Sequence, residues 1–178
     1  MTVASNIVGR IASTDHAVMR RVNWWQAPRW IRVWMICATR GGDGWLWYAM
    51  GLAVLLFGGR SRWAVTGAAA LSSATGIVLF LRLKRLIRRP RPCALEAHCW
   101  AKLLPPDQFS FPSGHSITAF AVVIPLGTAY PAMMPGLLLC AVSVAVSRVL
   151  LGMHYLSDVV AGSLAGTILG YAAYALVS

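Results

Sequence analysis

Three short segments of this chain combine residue types that bind phosphate and transfer protons. In the first, Lys84 is followed seven residues later by Arg91 and then by Pro92. Seven residues make two helical turns, so both cations can lie on one helical face and bind a single phosphate. Basic residues also anchor helices at membrane surfaces, and for this segment alone that interpretation is the commoner one.

The second segment, Pro112-Ser113-Gly114-His115, directly precedes an apolar stretch. A Ser-Gly turn at the start of a helix presents free backbone N–H groups, which form an anion site. The Ser113 hydroxyl can add a donor, and His115 would stand beside the anion, where it can donate or accept a proton. The alternative is a helix that Ser113 or Ser116 merely caps, with His115 at the membrane interface.

The third segment places Ser147 and Arg148 ahead of His154 and Asp158. Residues four apart share one helical face, so Asp158 could hold one imidazole nitrogen of His154 as N–H. The other nitrogen would then be bare and more basic, as in a nucleophile or a general base. Arg148 supplies a planar fork suited to phosphate. A His–Asp pair that only stabilises the start of a helix is the alternative, and the cost of charges at the edges of apolar segments weakens it.

The composition indicates which kind of scaffold positions these residues. Hydrophobic residues make up 58% of the 178 and charged residues 12%, whereas a soluble domain carries roughly 25% charged residues. The mean hydropathy is +0.64. The bilayer is therefore the expected solvent, and we expect one all-α domain, residues 1–178, built as a polytopic transmembrane helical bundle.

Five apolar stretches predict membrane-spanning helices. They are residues 44–59, 63–81, 116–130, 133–150 and 159–178. Alternating Trp and Arg over residues 16–40 predict one or two interfacial helices in an N-terminal region, 1–42, where a short sixth span at 31–39 stays open. The basic, proline-rich region 82–115 predicts a loop that separates two groups of spans. If the spans alternate in direction, the three phosphate-binding segments lie on one side of the membrane.

The charge balance narrows the partners. Sixteen Lys and Arg against five Asp and Glu give a net charge of +11, which suits a phosphorylated lipid in the bilayer better than nucleic acid. The five carboxylates are scattered, so we expect no metal and no cofactor. They are Asp15, Asp43, Glu96, Asp107 and Asp158. Cys93 and Cys99 could form a disulfide in the loop, with two free thiols as the equally open alternative.

The three segments together resemble the three-part signature of the type 2 phosphatidic acid phosphatase family, within the lipid phosphate phosphatase superfamily. The resemblance is closest to small bacterial integral membrane members. It covers every signature position, in order, across residues 84–158.

The resemblance implies a role for each residue. His154 would attack phosphorus and form a phosphohistidine, Asp158 would orient it, and His115 would protonate the leaving group and then activate water. Five groups would hold the phosphoryl oxygens, while Pro92, Pro112 and Ser147 would shape the site. The five groups are Lys84, Arg91, Ser113, the N–H of Gly114, and Arg148.

The implied function is a metal-independent phosphatase acting on a lipid phosphomonoester or pyrophosphate, of the undecaprenyl pyrophosphate, phosphatidic acid or phosphatidylglycerophosphate type. A lipid phosphotransferase with the same site, a lipid A phosphatase and a non-enzymatic membrane protein are the alternatives. The resemblance places the protein in a bacterial cytoplasmic (inner) membrane with its active site on the extracytoplasmic side. The positive-inside rule would instead put residues 82–91 in the cytoplasm, but a catalytic task accounts for these charges.

Overall fold

A computed structural model describes residues 3–95 and 107–178 of the chain. Within these residues the secondary structure is helical, apart from an isolated β-bridge between Pro90 and Phe109. The helices are α1 (Val3–Trp24), α2 (Arg29–Gly41), α3 (Trp45–Phe57), α4 (Arg62–Ile87), α5 (Pro92–Leu95), α6 (Gly114–Ala129), α7 (Met134–Leu150) and α8 (Leu156–Ala175). The predicted all-α architecture is confirmed.

Apolar helices occupy the positions of the five predicted spans, namely α3, α4, α6, α7 and α8. In the part of the chain that the structure describes, three helical segments are long and apolar enough to cross a membrane. They are Gly59–Ile87, Pro131–Leu150 and Leu156–Ala175. The helices α3 and α6 are apolar but shorter, with 13 and 16 residues, so each crosses only part of a hydrocarbon core of about 30 Å. Large apolar side chains such as Leu164 and Ile168 point outward, as lipid-facing residues do.

The N-terminal region forms two helices, and the first begins well before residue 16. Pro28 separates them, because proline is tolerated at a helix start but not in its interior. A sixth span is not formed, since the 13 residues of α2 cover only about 20 Å. Trp24 and Trp30 are largely exposed, as interfacial aromatic residues are.

The predicted loop 82–115 is wrong at its start, because α4 continues through the first basic residues to Ile87. Lys and Arg are good helix formers and are favourable at a helix C-terminus, and the first proline comes only at Pro90. The helix ends where Arg88 adopts a left-handed conformation, with φ of 50°. Lys84 and Arg91 therefore do not share a helical face, contrary to the prediction.

The helix α6 lies at the centre of the bundle and packs against α4, α7 and α8. Glycines at positions 162, 166 and 170 allow α8 to lie close against α6, because a Cβ atom on any of them would meet atoms of α6 or of its N-cap. At the start of this contact, the N–H of Ser113 donates to the carbonyl of Asp158 over 3.1 Å. The packing of α6 on α8 thus joins the second and third phosphate-binding segments.

Candidate functional site

Buried charges converge where α4 and α7 end and where α6 and α8 begin. Each of these residues is at most 7% exposed. They are Lys84, Arg91, Arg148, His154 and Asp158. Burying charge is costly unless it is paired or has a task. The structure therefore brings the basic residues of the first and third segments around one histidine.

His154 lies in the turn between α7 and α8, and its backbone N–H donates to the carbonyl of Arg148 over 3.1 Å. The Nη1 atom of Arg91 lies 3.2 Å from Nε2 of His154 and 2.7 Å from the carbonyl oxygen of Met153. A guanidinium can only donate, so Nε2 is the acceptor and the imidazole proton belongs on Nδ1. Nε2 thus carries the lone pair that a nucleophile requires, and this lone pair, which now accepts the hydrogen bond from Arg91, would have to be released to attack phosphorus.

Nδ1 of His154 faces Oδ2 of Asp158 at 3.6 Å, within ion-pair range but longer than a hydrogen bond. The predicted arrangement on one helical face is wrong, because α8 begins only at Leu156, after the histidine. Asp158 sits in the first turn of α8, where its Oδ2 also accepts the N–H of Tyr155 over 2.8 Å. The carboxylate therefore caps the helix and faces the imidazole at the same time.

Lys84 and Arg91 meet through Asp107, not through a shared helical face. Nζ of Lys84 lies 2.7 Å from Oδ2 of this carboxylate, and Nη2 of Arg91 lies 2.9 Å from Oδ1. Burial alone would raise the pKa of Asp107, but the hydrogen bonds from Lys84 and Arg91 outweigh burial and hold the pKa below its ordinary value. The carboxylate remains ionised at neutral pH and fixes both cations at the site.

Arg148 approaches His154 from the end of α7. Its Nη1 donates to the hydroxyl of Thr39 in α2, and in the described part of the chain its buried Nε atom has no hydrogen-bond partner. A buried unpaired donor is costly, and an anion bound beside His154 would remove that cost. Ser147 is structural here, since its hydroxyl donates to the carbonyl of Val144 over 2.6 Å.

The second segment forms the N-terminus of α6, as predicted. Ser113 is the N-cap, and its Oγ accepts the hydroxyl of Ser116 over 3.0 Å and the N–H of Ser116 over 3.4 Å. The predicted capping role is thus present, and Gly114 begins the helix with its N–H in the first turn. Pro112, joined to Phe111 by a cis peptide bond, precedes the cap. Nε2 of His115 lies 2.7 Å from Oδ1 of Asp43, in the turn before α3.

Electrostatics keep His154 neutral. Burial lowers the pKa of His154 well below the ordinary histidine value, and the positive charges of Arg148, Arg91 and Lys84 lower it further. A neutral imidazole is the form that attacks phosphorus. The same cations would attract the negative charge of a phosphate group.

Sequence reasoning missed several residues at this site. Asp43, Asp107 and Thr39 contact the predicted residues, while Asp15 and Arg89 lie behind Asp158. The one available signal was the scarcity of carboxylates, because a charge in so apolar a chain is seldom idle. Cys93 and Pro92 lie in α5, but Cys99 is outside the described residues, so the disulfide stays a prediction.

Comparisons with known proteins identify the relatives of this chain. The sequence profile of the PAP2 superfamily matches residues 61–178. Decaprenylphosphoryl-5-phosphoribose phosphatase of Mycobacterium tuberculosis (strain ATCC 25618 / H37Rv) is 37% identical over 127 residues, which are 71% of this chain and 68% of that protein. Lipid A 1-phosphatase of Rhizobium etli is 36% identical over 84 residues, 45% of this chain and 36% of that protein.

The fold is also similar to that of a solved protein, a transmembrane PAP2 type phosphatidylglycerolphosphate phosphatase from Bacillus subtilis. The TM-score is 0.74 at 26% identity, covering 94% of this chain and 86% of that one. Fold and relatives define the class of the protein, a multi-pass membrane phosphatase acting on lipids. The chain belongs to the PAP2 superfamily, which confirms the resemblance drawn from the three segments.

Proposed function

We propose that this phosphatase removes a terminal phosphomonoester from a polyprenyl-linked lipid through a phosphohistidine on His154. The observation that carries the mechanism is the unprotonated Nε2 of a neutral, buried His154 among Arg91, Arg148 and Lys84. The substrate class is supported by the relative that acts on decaprenylphosphoryl-5-phosphoribose, because that likeness covers more of both proteins than the likeness to lipid A 1-phosphatase does.

In the first step, Nε2 of His154 attacks phosphorus, and the bond from phosphorus to the sugar or alkyl oxygen breaks. His115 gives a proton to the leaving oxygen, so the dephosphorylated lipid departs as an alcohol. Asp158 stabilises the positive charge that develops on the imidazole, by facing Nδ1. In the second step, His115 takes a proton from water, the water oxygen attacks phosphorus, and inorganic phosphate leaves while His154 is regenerated.

The phosphoryl oxygens would be held by Lys84, Arg91, Arg148, Ser113 and the N–H of Gly114. Preorganised donors aimed at developing charge are usually the largest contribution to such catalysis. Asp107 would have to share or release its two cations when phosphate binds, since it now occupies both. In the described residues no cluster of three metal-ligating side chains occurs, and the proposed mechanism uses the protein's own cations.

The test is phosphate release by detergent-purified protein, with EDTA present, from a panel of lipid phosphates. The panel contains a polyprenylphosphoryl-phosphoribose, undecaprenyl pyrophosphate, phosphatidylglycerophosphate, phosphatidic acid and lipid A. We expect release by wild type, fastest from the phosphoribose lipid, and none by His154→Ala. A faster rate on another lipid would overturn the proposed substrate class. Loss of activity in EDTA would overturn the metal-free mechanism. Formation of a phosphorylated lipid in place of free phosphate would indicate a transferase.

For localisation, we propose that the site faces the extracytoplasmic side of a bacterial cytoplasmic membrane. The phosphate-binding cations account for the positive charge at that end of the bundle, so the positive-inside rule does not decide the orientation. Arg60, between α3 and α4, and Arg62, the first residue of α4, lie at the opposite end, where cytoplasmic charges would be favourable.

A further inference from the structure

Arg89 lies within the first phosphate-binding segment, between Lys84 and Arg91, but matches no signature position. Its Nη1 donates to Oδ1 of Asp158 over 2.8 Å and to the hydroxyl of Ser157 over 2.7 Å. Its Nη2 donates to Oδ2 of Asp15 over 2.7 Å. The guanidinium carbon lies 4.0 Å from the ring centre of Tyr155, a cation–π distance. One side chain thus connects two carboxylates and an aromatic ring.

Asp15 brings the N-terminal helix α1 into this arrangement. The residue is 1% exposed, and its carboxylate accepts the backbone N–H of Ser157 over 3.0 Å and the Ser157 hydroxyl over 2.6 Å. A buried carboxylate without a counter-charge would be very costly. Arg89 supplies that charge, so Asp15 and Arg89 each keep the other in place at the start of α8.

The two oxygens of Asp158 are fixed from opposite sides. Oδ1 receives Arg89, while Oδ2 receives the N–H of Tyr155 and faces Nδ1 of His154. Arg89 is the salt-bridge partner of this carboxylate in the described residues, apart from the histidine itself. Removing Arg89 would leave Asp158 buried without a permanent counter-charge, free to take up a proton or to rotate away from His154.

On these contacts, and resting on the proposed phosphohistidine function, we infer that Arg89 and Asp15 are positioning residues for the reaction. Arg89 supplies the counter-charge of Asp158 and keeps it aimed at Nδ1 of His154, and Asp15 holds Arg89 there from α1. The N-terminal helix is therefore part of the catalytic machinery. Partners that orient metal-ligating histidines from behind typically change affinity or activity by about 10- to 100-fold when they are lost, and we expect a loss of similar size for this histidine.

The experiment measures kcat and KM in detergent for Arg89→Gln, Arg89→Lys and Asp15→Asn, with melting temperature and monodispersity recorded for each variant. The matched control is Arg85→Gln, which removes an equal charge from an exposed side chain of the last turn of α4, four residues earlier in the chain. We expect Arg89→Gln to lower kcat by about 10- to 100-fold with KM within about twofold. Asp15→Asn should lower kcat by about tenfold, Arg89→Lys should recover part of the lost kcat, and the control should match wild type.

A purely structural role would instead lower the melting temperature and leave kcat of the folded protein unchanged, which would overturn the inference. A loss confined to KM would overturn it too, because Arg89 would then bind substrate phosphate. If Arg89→Gln does not fold, Asp15→Asn and Arg89→Lys test the inference instead. A lower kcat in both variants would support positioning, and an unchanged kcat in both would refute it. Wild type inactive on every lipid would refute the proposed function, whereas active wild type with unaffected variants would refute this inference alone.

Discussion

Oδ1 of Asp43 lies 2.7 Å from Nε2 of His115, which joins the turn before α3 to the first turn of α6. Because the carboxylate accepts the Nε2 proton, Nδ1 is the atom through which His115 can exchange a proton with substrate. Burial and the positive charge of Arg148 lower the pKa of His115 to about 4, and Asp43 opposes this shift. His115 must therefore take up its proton as the negatively charged phosphate binds, and Asp43 favours that protonated form. Asp43 thus stands behind the proposed acid much as Asp158 stands behind the proposed nucleophile.

Asp43→Asn should therefore weaken acid catalysis more than phosphate binding. We expect kcat on an alkyl lipid phosphate to fall by about tenfold. The first-turnover rate on p-nitrophenyl phosphate should fall much less, because its p-nitrophenolate leaving group needs no proton. His115→Ala should show the same contrast in stronger form. Steady-state and rapid-mixing kinetics on the two substrates measure it, and Arg62→Gln at the opposite end is the control. Equal losses on both substrates would contradict the acid role.

The close contact of α8 with α6 should govern both stability and activity. A Cβ atom at Gly166 would clash with the carbonyl oxygen of Ile117 and lie 3.0 Å from Cβ of Phe120. Gly166→Ala should destabilise the protein by about 1–3 kcal/mol, a typical cost of overpacking. It should also lower kcat, because Asp158 and Ser113 are joined through this packing.

Gly67 provides the matched control for that substitution. It lies in the second turn of α4, and a Cβ atom there would have nothing within 4 Å. Since alanine is the better helix former, Gly67→Ala should leave the melting temperature unchanged or raise it. Thermal unfolding followed by tryptophan fluorescence compares the two variants, and equal melting temperatures would show that the helices are not in close contact.

The lowered pKa of His154 makes a contribution to stability that depends on pH. The folded protein keeps the imidazole neutral, whereas the unfolded chain takes up a proton as the pH falls below about 6.5. Stability that is present above the unfolded pKa is therefore lost on acidification. Between about pH 7 and pH 5, wild type should lose more melting temperature than His154→Gln, which cannot titrate. Parallel pH profiles for the two proteins would mean that His154 is not held neutral.

The orientation in the membrane can be tested through the last residue. Helix α8 begins at the site with Leu156 and ends at Ala175, so Ser178 lies at the opposite end of the bundle. If the site faces the extracytoplasmic side, Ser178 lies in the cytoplasm. A reporter fused after Ser178 should then be active only if it is one that works in the cytoplasm. Paired fusions to alkaline phosphatase and green fluorescent protein measure this. Alkaline phosphatase activity at Ser178 would place the site in the cytoplasm.

The helices were predictable because hydrophobicity over about twenty residues reports directly on burial in lipid. The residues at which the helices begin and end were less predictable. The basic residues 82–87 extend α4, since helix-forming cations at a C-terminus are favourable whether or not the segment is apolar. Their low hydropathy had predicted a loop there. The prediction that Lys84 and Arg91 share a helical face failed because α4 ends at Ile87, before Arg91.

The candidate site divides in the same way. The three segments were found because each carries its chemistry in a short run of sequence. The residues that hold them came from far away along the chain, such as Asp15 to Ser157 or Asp43 to His115. A single sequence contains no signal for such pairings, which depend on how the helices pack. Only the rarity of carboxylates in an apolar chain could have drawn attention to Asp15, Asp43 and Asp107, which the sequence indicated merely as too scattered to bind a metal.

The central claim is that the phosphoryl group is carried by Nε2 of His154, and covalent trapping tests it most directly. Protein mixed with a ³²P-labelled lipid phosphate and denatured within milliseconds should carry about one label per active site, stable to alkali and released by acid, as phosphoramidates are. Digestion should locate it at His154, and His154→Asn should carry none. Label retained by that variant, or bound through an acid-stable ester, would contradict the histidine mechanism.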